Sequence, residues 1–223
     1  MLLIGMLCTF LVSATAEFCY TDVEAACSSS PTAVDGRLLK NCNARYGSFE
    51  GMQAELQAYV NAHVESSFEY LLMSTHFGNY EANREGFKGL YRQLSDSAWG
   101  KAIDIIKFIT KRGGRMNFNQ LPHLKKNAKD SRVLELNELN SLAKALDTEK
   151  QLAEEALRLH AQTQNHPKQD ASVAHYLEEK FMESQAETIR KLAGHTNDLK
   201  SLLADRDSSL SVYLFDEYLK KQL

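Results

Sequence analysis

The sequence predicts an all-α chain: a four-helix bundle with a long crossover between its second and third helices and a short fifth helix at the C-terminus. Three observations lead there. Only three prolines and eleven glycines interrupt 223 residues, too few turn-makers for a sandwich or barrel of short strands. Apolar residues recur at intervals of three and four over long stretches. One interval between those stretches is too long and too aperiodic to be a hairpin, which is how a crossover-containing bundle reads. With 43% hydrophobic residues the chain can build a substantial core and is not an intrinsically disordered one. A net charge of −3 gives no basic excess to recommend a nucleic-acid partner. Mean hydropathy is −0.39, and beyond the first residues no apolar run approaches the roughly 20 residues that cross a bilayer, so no membrane partner is expected.

Met1 to Ala16 reads MLLIGMLCTFLVSATA, an apolar run ending in the small-x-small pattern Ala14-Thr15-Ala16. No Lys or Arg precedes Arg37, yet the run and its ending predict a cleaved secretory signal over 1–16. A cysteine-bearing extension follows over 17–47, and one helical domain over 48–223. Cleavage discards Cys8 and leaves Cys19, Cys27 and Cys42. Thiols clustered in a short secreted extension become disulfides. Three is odd, so one internal bridge plus one bond to another chain is expected, a free thiol being the alternative. No C-x-x-C pair or nearby His completes a zinc site.

The first helix is expected from about Ser48 to Phe77, with Leu56, Tyr59, Val60, Tyr70, Leu71, Met73 and Phe77 on its apolar positions. The second is clearer, stepping by three or four through Phe87, Leu90, Tyr91, Leu94, Ala98, Ala102, Ile105 and Ile109 until Arg112-Gly113-Gly114-Arg115 ends it. The stretch to about Asp130 contains Pro122 and little periodicity: the crossover. A third helix runs from about Ser131 to His160, with Leu139, Leu142, Leu146, Ala153, Ala156 and Leu157 on one side. Asn165-His166-Pro167 breaks it. The fourth spans about Ala171 to Ala193 with Leu177, Phe181, Ile189 and Leu192 inward, and Gly194 stands where a glycine terminator would. Ser209 to Leu219 forms the last helix, carrying Leu210, Tyr213, Leu214 and Tyr218.

Four local sequences go further: Tyr70-Leu71-Leu72-Met73-Ser74, Arg112-Gly113-Gly114-Arg115, Lys191-Leu192-Ala193-Gly194-His195 and Tyr213-Leu214-Phe215-Asp216. In order and spacing they are similar to the ferritin family, over about Ser48 to Tyr218, so the bundle is expected to be ferritin-like. The start and the cysteine extension resemble those of secreted, insect-type ferritins, whose cages mix heavy-type and light-type subunits. The resemblance implies a hollow cage of two dozen subunits that holds iron as a ferric mineral.

It also implies where an oxidising centre belongs. A pair of ferrous ions needs hard oxygen donors and an imidazole. In the family's catalytic subunits these are a Glu and a Tyr on the first helix, a Glu-x-x-His pair on the second, a Glu on the third and a Gln on the fourth. Tyr70, Glu149 and Gln185 match. His63 replaces the first-helix Glu, Ala98 the bridging Glu and Lys101 the His, and no Glu-x-x-His occurs anywhere in the chain. The exchange shifts the pocket's formal charge by about three units. At an effective dielectric near 20, one like-charge contact already costs several kcal/mol. Glu149 and Lys101 both lie in apolar stripes, and a buried charge must be paired or neutralised, so an interior Lys101–Glu149 ion pair is expected. In the alternative, Lys101 reaches water along its stem.

Light-type subunits of the family carry acidic clusters on the cavity face of the second helix. The corresponding positions are Gly89, Arg92, Gln93, Asp96, Ser97 and Gly100, so Asp96 alone is a nucleation candidate. At the family's three-fold channels acidic side chains focus the field on incoming cations; His175 and Glu178 occupy those positions, with Glu179 adjacent. His63 reads as a core histidine, with a weak mononuclear site as the alternative. His76, His123, His160 and His166 read as surface residues, and Trp99, Tyr59 and Phe87 as core or subunit contacts. The expected function is a non-enzymatic, light-type structural subunit of a secreted iron-storage cage that co-assembles with a catalytic heavy-type subunit. The alternatives are a ferritin subunit with a weak, rearranged ferroxidase site (His63, Tyr70, Glu149, Gln185) and a secreted helical carrier that forms no cage.

Overall fold

The computed structural model describes residues 19–27, 39, 41–119, 134–167, 169–204 and 208–222. The expected signal segment, Pro122 with the centre of the expected crossover, and the expected helix start at Ser131 lie outside these residues. The chain divides into two compact units, Met1–Ala44 and Arg45–Leu223. In the first, a helix absent from the sequence reading, α1, spans Cys19–Cys27. A disulfide joins Cys19 to Cys42, and the Asp22 carboxylate accepts the Asn41 backbone N–H at 2.7 Å and its side-chain amide at 3.0 Å.

In the second unit α2 spans Phe49–Phe77 and α3 Glu85–Lys111. Cross-links between them run in opposite senses: Gln53 Nε2 donates to the Arg115 carbonyl, Ser95 Oγ to the Ser67 carbonyl and Ser74 Oγ to the Lys88 carbonyl. The two helices are therefore antiparallel. α4 spans Glu138–Asn165, begun by Asn137, whose side chain accepts the N–H groups of Leu139 and Asn140. Arg158 reaches Glu55, and Tyr70 Oη reaches the Ala145 carbonyl, so α4 also opposes α2. α3 and α4 must then be parallel, and the chain between them has to travel the length of a 27-residue helix, about 40 Å.

The fourth rod is α5 (Ala171–Leu177), a π turn over Glu178–Met182, and α6 (Glu183–Leu202), helical dihedrals continuing through both junctions. Gly194 does not end it. A Cβ there would meet nothing within 4 Å, and the helix carries the glycine in its interior up to Leu202. α7 spans Ser208–Gln222 and packs on α3.

Two buried clusters fill the bundle. One centres on Phe49, Leu56, Tyr59, Ile105, Ile109, Leu159 and Phe181, the other on Tyr70, Phe77, Phe87, Tyr91, Leu142, Leu192 and Phe215. Expected core positions Leu71 and Leu157 are exposed instead. In α7 the buried face carries Ser211, Phe215, Asp216 and Leu219, and the expected residues Leu210, Tyr213, Leu214 and Tyr218 are the exposed ones. Two polar anchors fix the ends. Arg112, 2% exposed, holds Asp170 through two hydrogen bonds of 2.8 and 3.2 Å and donates to the Tyr46 carbonyl, with its guanidinium 3.9 Å over the Tyr46 ring. Asp170 in turn caps α5 through the Val173 N–H. At the other end Asp216 accepts the Phe87 N–H at the start of α3.

Candidate functional site

The resembled oxidation centre maps to the middle of the bundle, where α2, α3, α4 and α6 face one another. α2 supplies Tyr59, His63 and Tyr70 at helical spacing, which sets all three on its inner side. Tyr70 Oη donates to Glu149 Oε1 at 3.0 Å. Burial pushes the Glu149 carboxyl up, against the lowering influence of Lys101 and of the Tyr70 hydrogen bond. Burial likewise pulls the Lys101 ammonium down while Glu149 opposes it. The two charges feel each other, but no ion pair within 4.0 Å joins them among the described residues. The expected Lys101–Glu149 contact is corrected to a through-space interaction: Glu149's close partner is Tyr70, and Lys101 is half-buried. Ala98 is buried and brings no donor to the site.

Gln185 is fully buried and its Nε2 donates at 2.9 Å to Tyr59 Oη, which itself donates to the Leu152 carbonyl. His63 is 1% exposed; its ring packs edge-on against Tyr59 at 4.6 Å and lies 5.7 Å from Phe181. Burial, with Lys101's charge second, lowers its pKa to about 3, so the imidazole is neutral at physiological pH. Neither ring nitrogen of His63, nor Gln185 Oε1, has a hydrogen-bond partner among the described residues. His63 is thus buried, as expected of a core histidine, but its ring is held by packing and not by hydrogen bonds among the described residues. Tyr59, read from sequence only as a packing residue, is the hub between the two. Its place four residues before His63, on the same face, was the available signal.

Chemically, the pocket offers one carboxylate, one neutral imidazole, one amide oxygen and a nearby ammonium. Among the described residues no three His, Cys, Asp or Glu side chains are grouped to hold a metal ion.

The other candidates are spread along the rods. Asp96 is ion-paired to Arg92 at 3.0 Å, one turn away. Glu178 opens the π turn and binds His160 Nε2 at 2.6 Å, while His175 Nε2 lies 3.6 Å from Glu179. His160 is thus no bare surface residue. Eighteen positions separate it from Glu178, so no local spacing could announce the pair. Trp99 is 53% exposed, whereas Tyr59 and Phe87 are buried.

A helical bundle with this crossover, and with Tyr70, Glu149 and Gln185 drawn into one interior pocket, is the frame of an iron-storage protein. A family model for the ferritin-like domain matches residues 53–202, and the chain belongs to the ferritin family. Within it the chain is a light-chain-like subunit of the secreted, insect type. The ferritin light chain of Trichoplusia ni is 45% identical across 99% of this chain and 98% of the relative. That of Drosophila melanogaster is 44% identical across 92% and 90%. The crystal structure of Trichoplusia ni secreted ferritin matches with a TM-score of 0.84 at 44% identity, covering 93% of this chain and 100% of that one.

Proposed function

We propose that this chain is a non-oxidising, light-type subunit that builds the wall of a secreted ferritin cage, with Fe(II) oxidation supplied by a heavy-type partner. The observation carrying this reading is the interior charge. Two ferrous ions would meet a single carboxylate already engaged by Tyr70, an apolar Ala98 and the Lys101 ammonium. A pair of divalent cations beside a fixed positive charge in a low-dielectric interior is strongly disfavoured. Iron is then cargo, stored as ferric mineral in a cage of two dozen subunits, and enters through three-fold channels to which His175 and Glu178 contribute. Asp96, neutralised by Arg92, adds little to mineral nucleation. Residues 1–16 act as the secretory signal, and 17–47 as an extension in which Cys19–Cys42 leaves Cys27 to bond the partner chain.

The test is aerobic Fe(II) oxidation by the purified chain, followed by oxygen consumption. The rate expected is that of buffer, and rapid oxidation in fixed stoichiometry would overturn the reading. One observation favours a second reading, a weak mononuclear site: the ring nitrogens of His63 and the Gln185 oxygen have no hydrogen-bond partner among the described residues, and both side chains lie against Tyr59. Anaerobic Co(II) titration separates the two, since a tight single-ion spectrum abolished in His63→Leu belongs to the second alone.

A further inference from the structure

We propose, on the non-oxidising reading above, that Tyr59 is a latch holding Gln185 apart from Glu149, so that these two oxygen donors of the interior pocket do not meet on a metal ion. Such a latch is a geometric cause of inactivity, separate from the electrostatic one. Tyr59 is then a positioning residue: it acts through Gln185.

One hydroxyl ties three helices together. The single Tyr59 proton goes to the Leu152 carbonyl of α4 at 3.2 Å, so from Gln185 of α6 the oxygen can only accept, and it does so from Nε2 at 2.9 Å. The amide nitrogen is thereby committed, and the amide oxygen, bonded to the same carbon, stays at that end of the pocket. Packing holds the Tyr59 ring in place, with His63 at 4.6 Å and Phe181 at 5.4 Å. The latch also holds against a cost. Gln185 is fully buried, and its Oε1 has no hydrogen-bond partner among the described residues. An unsatisfied buried acceptor is costly, so an amide freed from Tyr59 gains by turning its oxygen toward a cation.

Glu149 is held elsewhere. Tyr70 donates to its Oε1 at 3.0 Å and lies 3.4 Å from the Ala145 carbonyl. Ala145 and Leu152 stand seven positions apart on α4, about 10 Å along its axis, which places the two tyrosine hydroxyls roughly that far from each other. An ion with oxygen donors at about 2.1 Å brings two of them within about 4 Å. Even two ions about 4 Å apart reach only about 8 Å from one outer donor to the other. While both hydroxyls hold, Glu149 and Gln185 share no metal site.

The experiment is anaerobic Co(II) titration of the assembled full chain carrying His63→Glu, Ala98→Glu and Lys101→His, read by the visible absorption of bound Co(II). Adding Tyr59→Phe should tighten binding at least fivefold and change the spectrum as a further oxygen donor joins. With Gln185→Leu also present, Tyr59→Phe should alter affinity less than twofold, a dependence that a general loosening of the bundle does not produce. Equal affinity with and without Tyr59→Phe, including no binding by either, would overturn the latch. So would a gain that survives Gln185→Leu. Comparing the triple variant with the parent chain tests the charge reading separately, since both retain Tyr59. Should the combined variants not assemble, the crystal structure of the Tyr59→Phe chain decides: a Gln185 amide turned away from position 59 supports the latch, and an unmoved one overturns it.

Discussion

At the scale of single residues, the proposed absence of oxidation rests on three side chains of the interior pocket. On the reading proposed above, His63, Ala98 and Lys101 stand for two carboxylates and an imidazole, while Tyr70 and Gln185 are buried and hydrogen-bonded. If charge is what keeps iron out, His63→Glu with Ala98→Glu and Lys101→His should give Fe(II) oxidation at least tenfold above the parent chain, read by oxygen uptake. Unchanged oxidation in a folded triple variant would mean the backbone no longer holds the centre. His63 also makes a pH prediction. Its folded pKa of about 3 lies below the ordinary value of 6.5, so the native state holds fewer protons than the unfolded chain between those limits. Stability that is present above pH 6.5 is therefore lost as pH falls, by about 1.4 kcal/mol per unit for this one group. Urea unfolding from pH 7 to pH 5 should show a steeper decline in the parent than in His63→Gln. Parallel slopes would contradict a buried neutral imidazole.

The anchors act at the scale of elements, tying rod ends that are far apart in sequence. Arg112–Asp170 links the end of α3 to the start of α5 from a site only a few per cent exposed. Burial by itself would raise the Asp170 carboxyl. The Arg112 hydrogen bonds, the Val173 N–H and the Arg112 charge outweigh it and hold the group below the usual carboxylate range. A depressed acid contributes stability at neutral pH that disappears as pH falls through that range. Arg112→Ala strands a buried carboxylate and should cost about 3–5 kcal/mol in urea unfolding; Asp170→Asn with Arg112→Leu should recover part of it. At the opposite end α7 lies so close that a Cβ on Gly86 would sit 2.0 Å from the Asp216 carbonyl oxygen. Gly86→Ala should therefore detach α7, seen as faster amide hydrogen exchange across Ser211–Leu219 with α2–α4 still protected. Both anchors explain local sequences that periodicity alone leaves idle: the arginine that opens the turn after α3, and the aspartate after Phe215.

At the scale of the whole molecule, the exposed apolar residues on α7 and the half-exposed Trp99 are surfaces that an isolated domain would not present for its own stability. Assembly into a closed shell covers such faces. Gel filtration of the native protein should give a particle of about half a megadalton from two dozen subunits. Non-reducing electrophoresis should give a band joining this chain to a different, Glu-x-x-His-bearing chain, abolished by Cys27→Ser. A monomer of about 25 kDa would leave only the secreted-carrier alternative.

What was legible in the sequence is what depends on near neighbours in the chain. Apolar spacing announced the long helices, and paired motifs announced the ferritin order. The helix ends were less legible: the rod containing Gly194 runs on, because a glycine in a supported helix costs only about 1 kcal/mol against alanine, less than packing returns. Partnership between distant residues belonged to the tertiary structure alone. That Lys101 acts on Glu149 without touching it, that His160 binds Glu178, and that α7 turns its phenylalanine inward and its tyrosines outward follow from how rods are placed side by side. The reason is physical: periodicity fixes which residues share a face, whereas distance and desolvation, which set electrostatic energies, exist only once the faces meet.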